Sequence, residues 1–117
     1  MNILIVDDEK EICDALEDFI TELDVERIDK AYDGNEAFNL IKAINYDLVI
    51  CDINLPFLSG IELVEKAKSL ETSPKIILIS GREDLIRSIH AIDLGILDFL
   101  VKPIDTKKLS DLIQELR

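Results

Sequence analysis

Five short aliphatic runs, Asn2–Val6, Arg27–Ala31, Asp47–Cys51, Lys75–Ile79 and Leu97–Val101, alternate with longer segments of helical period. Four of the five are almost wholly apolar instead of alternating apolar with polar. Alternation marks a strand with one face in water. An unbroken apolar run marks a strand covered on both faces, which is the signature of a parallel sheet. Arg27–Ala31 carries Asp29 and Lys30, so it is predicted to lie at the sheet edge.

The segments between the runs supply the cover. Ile12, Cys13, Leu16, Phe19, Ile20 and Leu23 form a stripe at i, i+3/i+4 spacing within Glu9–Leu23. Ala37, Phe38, Ile41 and Ile44 form a second stripe, and Ile61, Leu63, Val64, Ala67 and Leu70 a third. Leu85, Ile86, Ile89 and Ile92 form a fourth, and Leu109, Leu112, Ile113 and Leu116 a fifth. Asp33, Ser59 and Ser80 each precede a Glu by three positions, as a helix cap does. Gly95 follows the fourth stripe, where a helix-ending glycine belongs. The pattern predicts an α/β fold of five βα units. It forms a single domain over residues 1–117, without linker or repeat. Right-handed crossovers then place helices on both faces of an open sheet.

Composition narrows the function. The apolar fraction of 48% supports a packed core and argues against disorder. A net charge of −12 repels nucleic acid and anionic lipid, so direct contact with DNA or a membrane is not expected. Cys13 and Cys51 are far apart, match no metal spacing and read as small buried hydrophobes of a reducing compartment. Met1 and Asn2 lead straight into a strand, and no apolar run is long enough to span a bilayer. A cytoplasmic protein is expected.

Ligands of open α/β sheets bind at the carboxyl ends of the strands. Asp7 and Asp8 stand after the first run, Asp52 after the third, Ser80 after the fourth and Lys102 with Pro103 after the fifth. The second run ends in Ala31-Tyr32 and offers nothing. Singly, each has an ordinary reading: a solvated strand-end acid, a turn aspartate, a helix cap, a surface lysine. Together they bring three carboxylates, a hydroxyl and an ammonium to one rim. Carboxylates crowded there need a cation, and an all-oxygen site near solvent suits Mg²⁺. Such a site suits phosphoryl transfer, with aspartate as the nucleophile.

In this order the motifs "ILIVDDE" (Ile3–Glu9), "AYDGNEAF" (Ala31–Phe38), "DLVICDINLPFLSG" (Asp47–Gly60), "ILISG" (Ile77–Gly81) and "DLGILDFLVKP" (Asp93–Pro103) resemble a bacterial two-component response regulator receiver domain, of CheY-like type. That resemblance covers essentially the whole chain. It implies a flavodoxin-like (βα)5 fold with a five-stranded parallel sheet in the order 2-1-3-4-5. It also implies that Asp52 is the phospho-acceptor. Asp8 would bind Mg²⁺ directly, Asp7 through water, and Asn54 by its backbone carbonyl. Lys102 would contact the phosphoryl group and the acidic cluster, and Lys102–Pro103 would be a cis peptide. Ser80 would be the switch hydroxyl and Phe99 the switch aromatic. They would relay the phosphorylated state to the face formed by the fourth helix, fifth strand and fifth helix. The implied partners are a sensor histidine kinase or histidine phosphotransfer protein, and a downstream effector domain or protein. The same face allows a homodimer. A receiver is a phospho-acceptor with self-phosphorylation and self-dephosphorylation chemistry, not a turnover enzyme.

Some positions depart from the commonest family pattern. Ser80 stands for Thr, Leu55 for Met, and Ile96 for Ala, while Phe99 lacks the hydroxyl of Tyr. Arg82 would be a cation near the site, and His90 reads as a surface residue rather than a phosphodonor. Two alternatives stand beside the switch. A Mg²⁺-dependent phosphatase with an Asp nucleophile wants a second acid two residues on, where this chain has Asn54. A non-phosphorylated interaction module would have no use for Asp7, Asp8, Asp52, Ser80 and Lys102 together.

Overall fold

The computed structural model describes residues 1–81, 83 and 95–117. The elements run β1 (Asn2–Val6), α1 (Lys10–Thr21), β2 (Arg27–Ala31), α2 (Gly34–Ala43), β3 (Leu48–Asp52), α3 (Gly60–Lys68), β4 (Lys75–Ser80), β5 (Asp98–Val101) and α4 (Thr106–Glu115). All strand pairings are parallel, in the order β2-β1-β3-β4-β5. The predicted fold class and strand order hold, and the charged run Arg27–Ala31 does form an edge. The helix expected over the fourth stripe, Arg82 and His90 lie outside the described residues.

Successive strand residues point to opposite faces, so each strand feeds two cores. Leu4, Val6, Val49, Cys51 and Leu78 pack against Ala37 and Ile41 of α2 and Leu63, Val64 and Ala67 of α3. Ile3, Ile5, Ile50, Ile77 and Ile79 pack against Cys13, Leu16 and Ile20 of α1 and Leu109, Leu112 and Ile113 of α4. Each fully buried Ile or Leu contributes about 1.5–3 kcal/mol, which makes the sheet a rigid base for its rim.

Two of the predicted caps form. The Asp33 carboxylate accepts from Glu36 N–H at 2.8 Å, and the Ser59 hydroxyl accepts from Glu62 N–H at 3.2 Å. Glu9 occupies the cap of α1 without a side-chain bond. Charges on β2 serve as ties: Lys30 lies 3.0 Å from both Asp14 and Glu17 of α1, while Asp29 accepts from the Tyr46 hydroxyl at 2.5 Å. The chain ends meet at the amino-terminal edge of the sheet. There the Met1 amine pairs with Glu26 at 3.4 Å, and the Arg117 guanidinium donates to the carbonyls of Leu23 and Asp24.

Gly60 fixes how close α3 comes to the end of β3. A Cβ there would lie 2.5 Å from the Asp52 carbonyl oxygen and 2.8 Å from Ile53 Cα. Both are backbone atoms and cannot swing aside. Gly60→Ala is therefore expected to destabilise the fold by about 1–3 kcal/mol. A fall in the urea midpoint at constant m checks this, and an unchanged midpoint would mean that α3 shifts freely.

Candidate functional site

Four of the five strand ends, all but that of the edge strand β2, deliver groups to the carboxyl rim. Asp7 follows β1 directly and is held by its N–H to the Ala31 carbonyl of β2 at 3.1 Å. Its Oδ1 accepts from Glu9 N–H at 2.9 Å, so the turn into α1 sets the carboxylate's orientation. Asp52 is the last residue of β3, and its Oδ1 accepts from Asn54 N–H at 3.2 Å. Lys102 follows β5, anchored by its N–H to the Ser80 carbonyl at 3.0 Å. The Lys102–Pro103 peptide is cis.

Asp7 is 1% exposed and Asp52 5%, so neither is an ordinary surface acid. The Lys102 ammonium lies 3.0 Å from Asp52 Oδ2 and 3.0 Å from Asp7 Oδ2. Only the Asp52 contact has hydrogen-bond geometry. Asp7 Oδ2 is buried and accepts no hydrogen bond. Asp8 is exposed, and carboxylate oxygens of Asp7, Asp8 and Asp52 lie within 4.8 Å of one another. One ammonium among three carboxylates leaves the cluster net negative. Burial pulls the Lys102 pKa down, but the hydrogen bond to Asp52 and the charges of Asp52 and Asp7 outweigh it and hold the pKa above the ordinary lysine value.

A divalent cation fits this donor set. It would give Asp7 Oδ2, which has the Lys102 ion pair but no hydrogen bond, a second partner, and would offset the excess negative charge. Its ligands would all be oxygens, and exposed Asp8 leaves the site open to water, which suits Mg²⁺ better than Zn²⁺.

The remaining candidates lie around this cluster. Ser80 ends β4, fully buried, one residue past Ile79, the register partner of Asp52. Phe99 is half-buried on β5, opposite Leu78, and packs on the core shared with α2 and α3. Asn54 is exposed in the loop that leaves β3. The two cysteines flank the site from below: Cys13 Sγ donates to the Asp7 carbonyl and Cys51 Sγ to the Asp52 carbonyl. Desolvation, with the charge of Asp7, pushes the Cys13 thiol up to about 11. Burial, then Asp52 and Asp7, raises that of Cys51 as well. Both are free and buried, as their apolar neighbours suggested. Beside Lys102, an open apolar groove of about 620 Å³ is lined by Ile12, Leu16, Phe19, Pro103 and Ile104 among others. No single motif announces it, because its wall is the outer margin of the first helical stripe.

The sequence model of the response regulator receiver domain matches residues 3–114. The chain belongs to this family. Response regulator ArlR of Staphylococcus aureus (strain Mu50) is 34% identical over 107 residues, which are 92% of this chain and 48% of that protein. This receiver domain thus spans about half the length of the curated relatives it matches. A two-component response regulator from Clostridium difficile superposes with a TM-score of 0.88 at 28% identity, covering 99% of this chain and 94% of that one. Chemotaxis response regulator CheY4 of Vibrio cholerae shares the fold, with a TM-score of 0.86 at 23% identity over 99% of this chain and 98% of that one. Receiver domains are phospho-accepting parts of two-component signalling systems that act with sensor kinases and effectors, and are not enzymes in the ordinary sense. Among the described residues no helix is long and apolar enough to cross a membrane.

Proposed function

We propose that this receiver domain is a Mg²⁺-dependent phosphorylation switch in which Asp52 takes a phosphoryl group from a phosphohistidine donor. One observation carries the reading: two buried carboxylates share one ammonium at the strand rim, with an exposed third beside them. A carboxylate oxygen of Asp52 attacks phosphorus, the P–N bond of the donor breaks, and its electron pair returns to the imidazole. The Lys102 ammonium, already 3.0 Å from Asp52 Oδ2, is placed to take charge from the transferred group. Asp7, Asp8 and Asp52, with the Asn54 carbonyl, would hold Mg²⁺, which supplies charge neutralisation to the phosphoryl oxygens.

Ser80 and Phe99 carry the state outward in this reading. Ser80 stands next to the Asp52 register position on the neighbouring strand, and Phe99 is two residues back on the next strand over. A hydroxyl that turns toward a new phosphoryl oxygen vacates volume that Phe99 can enter, and packed cores respond to such changes in discrete steps. The face expected to respond comprises the fourth-stripe helix, β5 and α4. The partners are a histidine kinase or phosphotransfer protein upstream and an effector downstream.

Incubation with phosphoramidate and Mg²⁺, followed by intact-mass measurement, tests the reading. Gain of a single phosphoryl group is expected, and no gain would refute it. The metal part has its own test. Asp8→Asn removes the one exposed carboxylate of the cluster, so Mg²⁺ affinity by calorimetry is expected to fall on the order of tenfold or more. Equal affinity in both proteins would place the ion elsewhere.

A further inference from the structure

Phe57 is 84% exposed, the most exposed large hydrophobic among the described residues. Its φ is +69°, in the left-handed region that a bulky side chain enters only with strain. The backbone is pinned on both sides. Pro56 precedes it, and Leu58 after it is 6% exposed and packed so closely on α2 that a Cβ on Gly34 would lie 2.1 Å from the Leu58 carbonyl oxygen. Leu58 N–H closes a three-residue turn onto the Pro56 carbonyl at 2.8 Å, with Phe57 at its apex. The fold thus holds a phenylalanine where glycine or asparagine would sit without strain, and the ring buries almost nothing in return.

The position explains what the ring is for. Gly60 N–H bonds the Ile53 carbonyl at 2.9 Å, so the loop begins and ends at the base of Asp52. Phe57 is three residues from Gly60 and lies within about 11 Å of it. Gly60 itself touches the Asp52 carbonyl. A protein interface of ordinary size covers about 800 Å² on each partner, a disc roughly 16 Å in radius. Phe57 therefore lies within reach of a protein centred on Asp52. Rigid, exposed aromatics that are buried only in the complex are the residues that carry interface affinity.

We propose that Phe57 is a preformed anchor for the protein that phosphorylates Asp52, seated in an apolar pocket beside that donor's phosphohistidine. The inference rests on the phospho-acceptor reading above. The test separates donor recognition from chemistry. Phosphoramidate needs no protein contact, whereas a sensor kinase does. Autophosphorylated kinase catalytic regions from the source genome are screened for the one that labels the wild-type chain fastest. With that kinase, Phe57→Gly is expected to raise the KM for phosphotransfer by about tenfold with maximal rate unchanged. Phe57→Leu should retain most of the affinity. Labelling by phosphoramidate should be the same in all three proteins, and the urea midpoint of Phe57→Gly equal to wild type or higher.

An unchanged KM in Phe57→Gly, with phosphoramidate labelling intact, overturns the inference and leaves the acceptor reading standing. A lower urea midpoint would make Phe57 structural and overturn it too. So would labelling of the wild type by phosphoramidate but by no kinase. Self-association of the wild type that Phe57→Gly abolishes would assign the ring to a second copy instead. Failure of phosphoramidate to label the wild type removes both readings together.

Discussion

Asp52→Asn is expected to take up no phosphoryl group from phosphoramidate under conditions that fully label the unaltered chain. The loss should be on the order of 10³-fold or more, as when an enzyme loses its nucleophile. The amide has the carboxylate's shape but no anionic oxygen to attack with. The fold should survive, since Asp7 still faces Lys102 at 3.0 Å. Asp7→Asn is the control that separates a nucleophile from a neighbour. It removes an equally buried charge 3.0 Å from the same ammonium, yet labelling should persist at a lower rate. Borohydride reduction of the labelled chain and peptide mapping should find the modified residue at Asp52. Equal labelling of wild type and Asp52→Asn would place the acceptor elsewhere.

The second large effect concerns stability as well as chemistry. In metal-free buffer at neutral pH, Lys102→Ala is expected to lower the unfolding free energy by about 3 kcal/mol, because two buried carboxylates lose their shared cation. Phosphoryl uptake should fall about a hundredfold, in line with removal of one charge-stabilising donor. Mg²⁺ should return much of the stability, since a ligand at a hundred times its Kd contributes about 2.7 kcal/mol. The variant should therefore respond more to Mg²⁺ than the wild type does, and a urea titration with and without the ion reads this directly. The pH dependence has a definite sign. The Lys102 pKa is raised on folding, so its contribution is complete below the unfolded value of about 10.4 and is lost as pH rises through the higher folded value. The gap between wild type and variant should stay wide at neutral pH and close in strong alkali. A gap that persists there, or a variant indifferent to Mg²⁺, would refute the shared-cation account.

Strand residues were legible to within a position, because their apolar runs have no other use. The small errors matter at the rim. Asp52 and Ser80 are the last residues of their strands and not the first residues of loops. Sheet hydrogen bonding therefore fixes their backbones more firmly than a loop would. Gathering Asp7, Asp8, Asp52 and Lys102 at one rim was readable because a parallel sheet leaves its carboxyl ends together. That Lys102 contacts the acidic cluster came from the family resemblance alone; which two carboxylates it lies between was not readable, since a flexible four-carbon stem has many rotamers and only the packed surroundings select one. Tyr46 gave no signal, because its partner Asp29 is seventeen residues away on a strand read only as a sheet edge. Phe57 was silent for the opposite reason: an aromatic in a loop says nothing about the sign of its φ.

The meeting of Met1 and Arg117 at the amino-terminal edge has a practical side. Both ends leave from the margin opposite the acceptor rim, and both line the same small concavity with Asp24, Glu26 and Asp47. Ends this near each other can be joined by a short linker and the chain reopened elsewhere. A dye, a bead or a surface tether attached at either end would hang on the far side from Asp52. A tethered copy would keep its acceptor open to solution, so single-molecule phosphorylation could be followed without the anchor obstructing the donor.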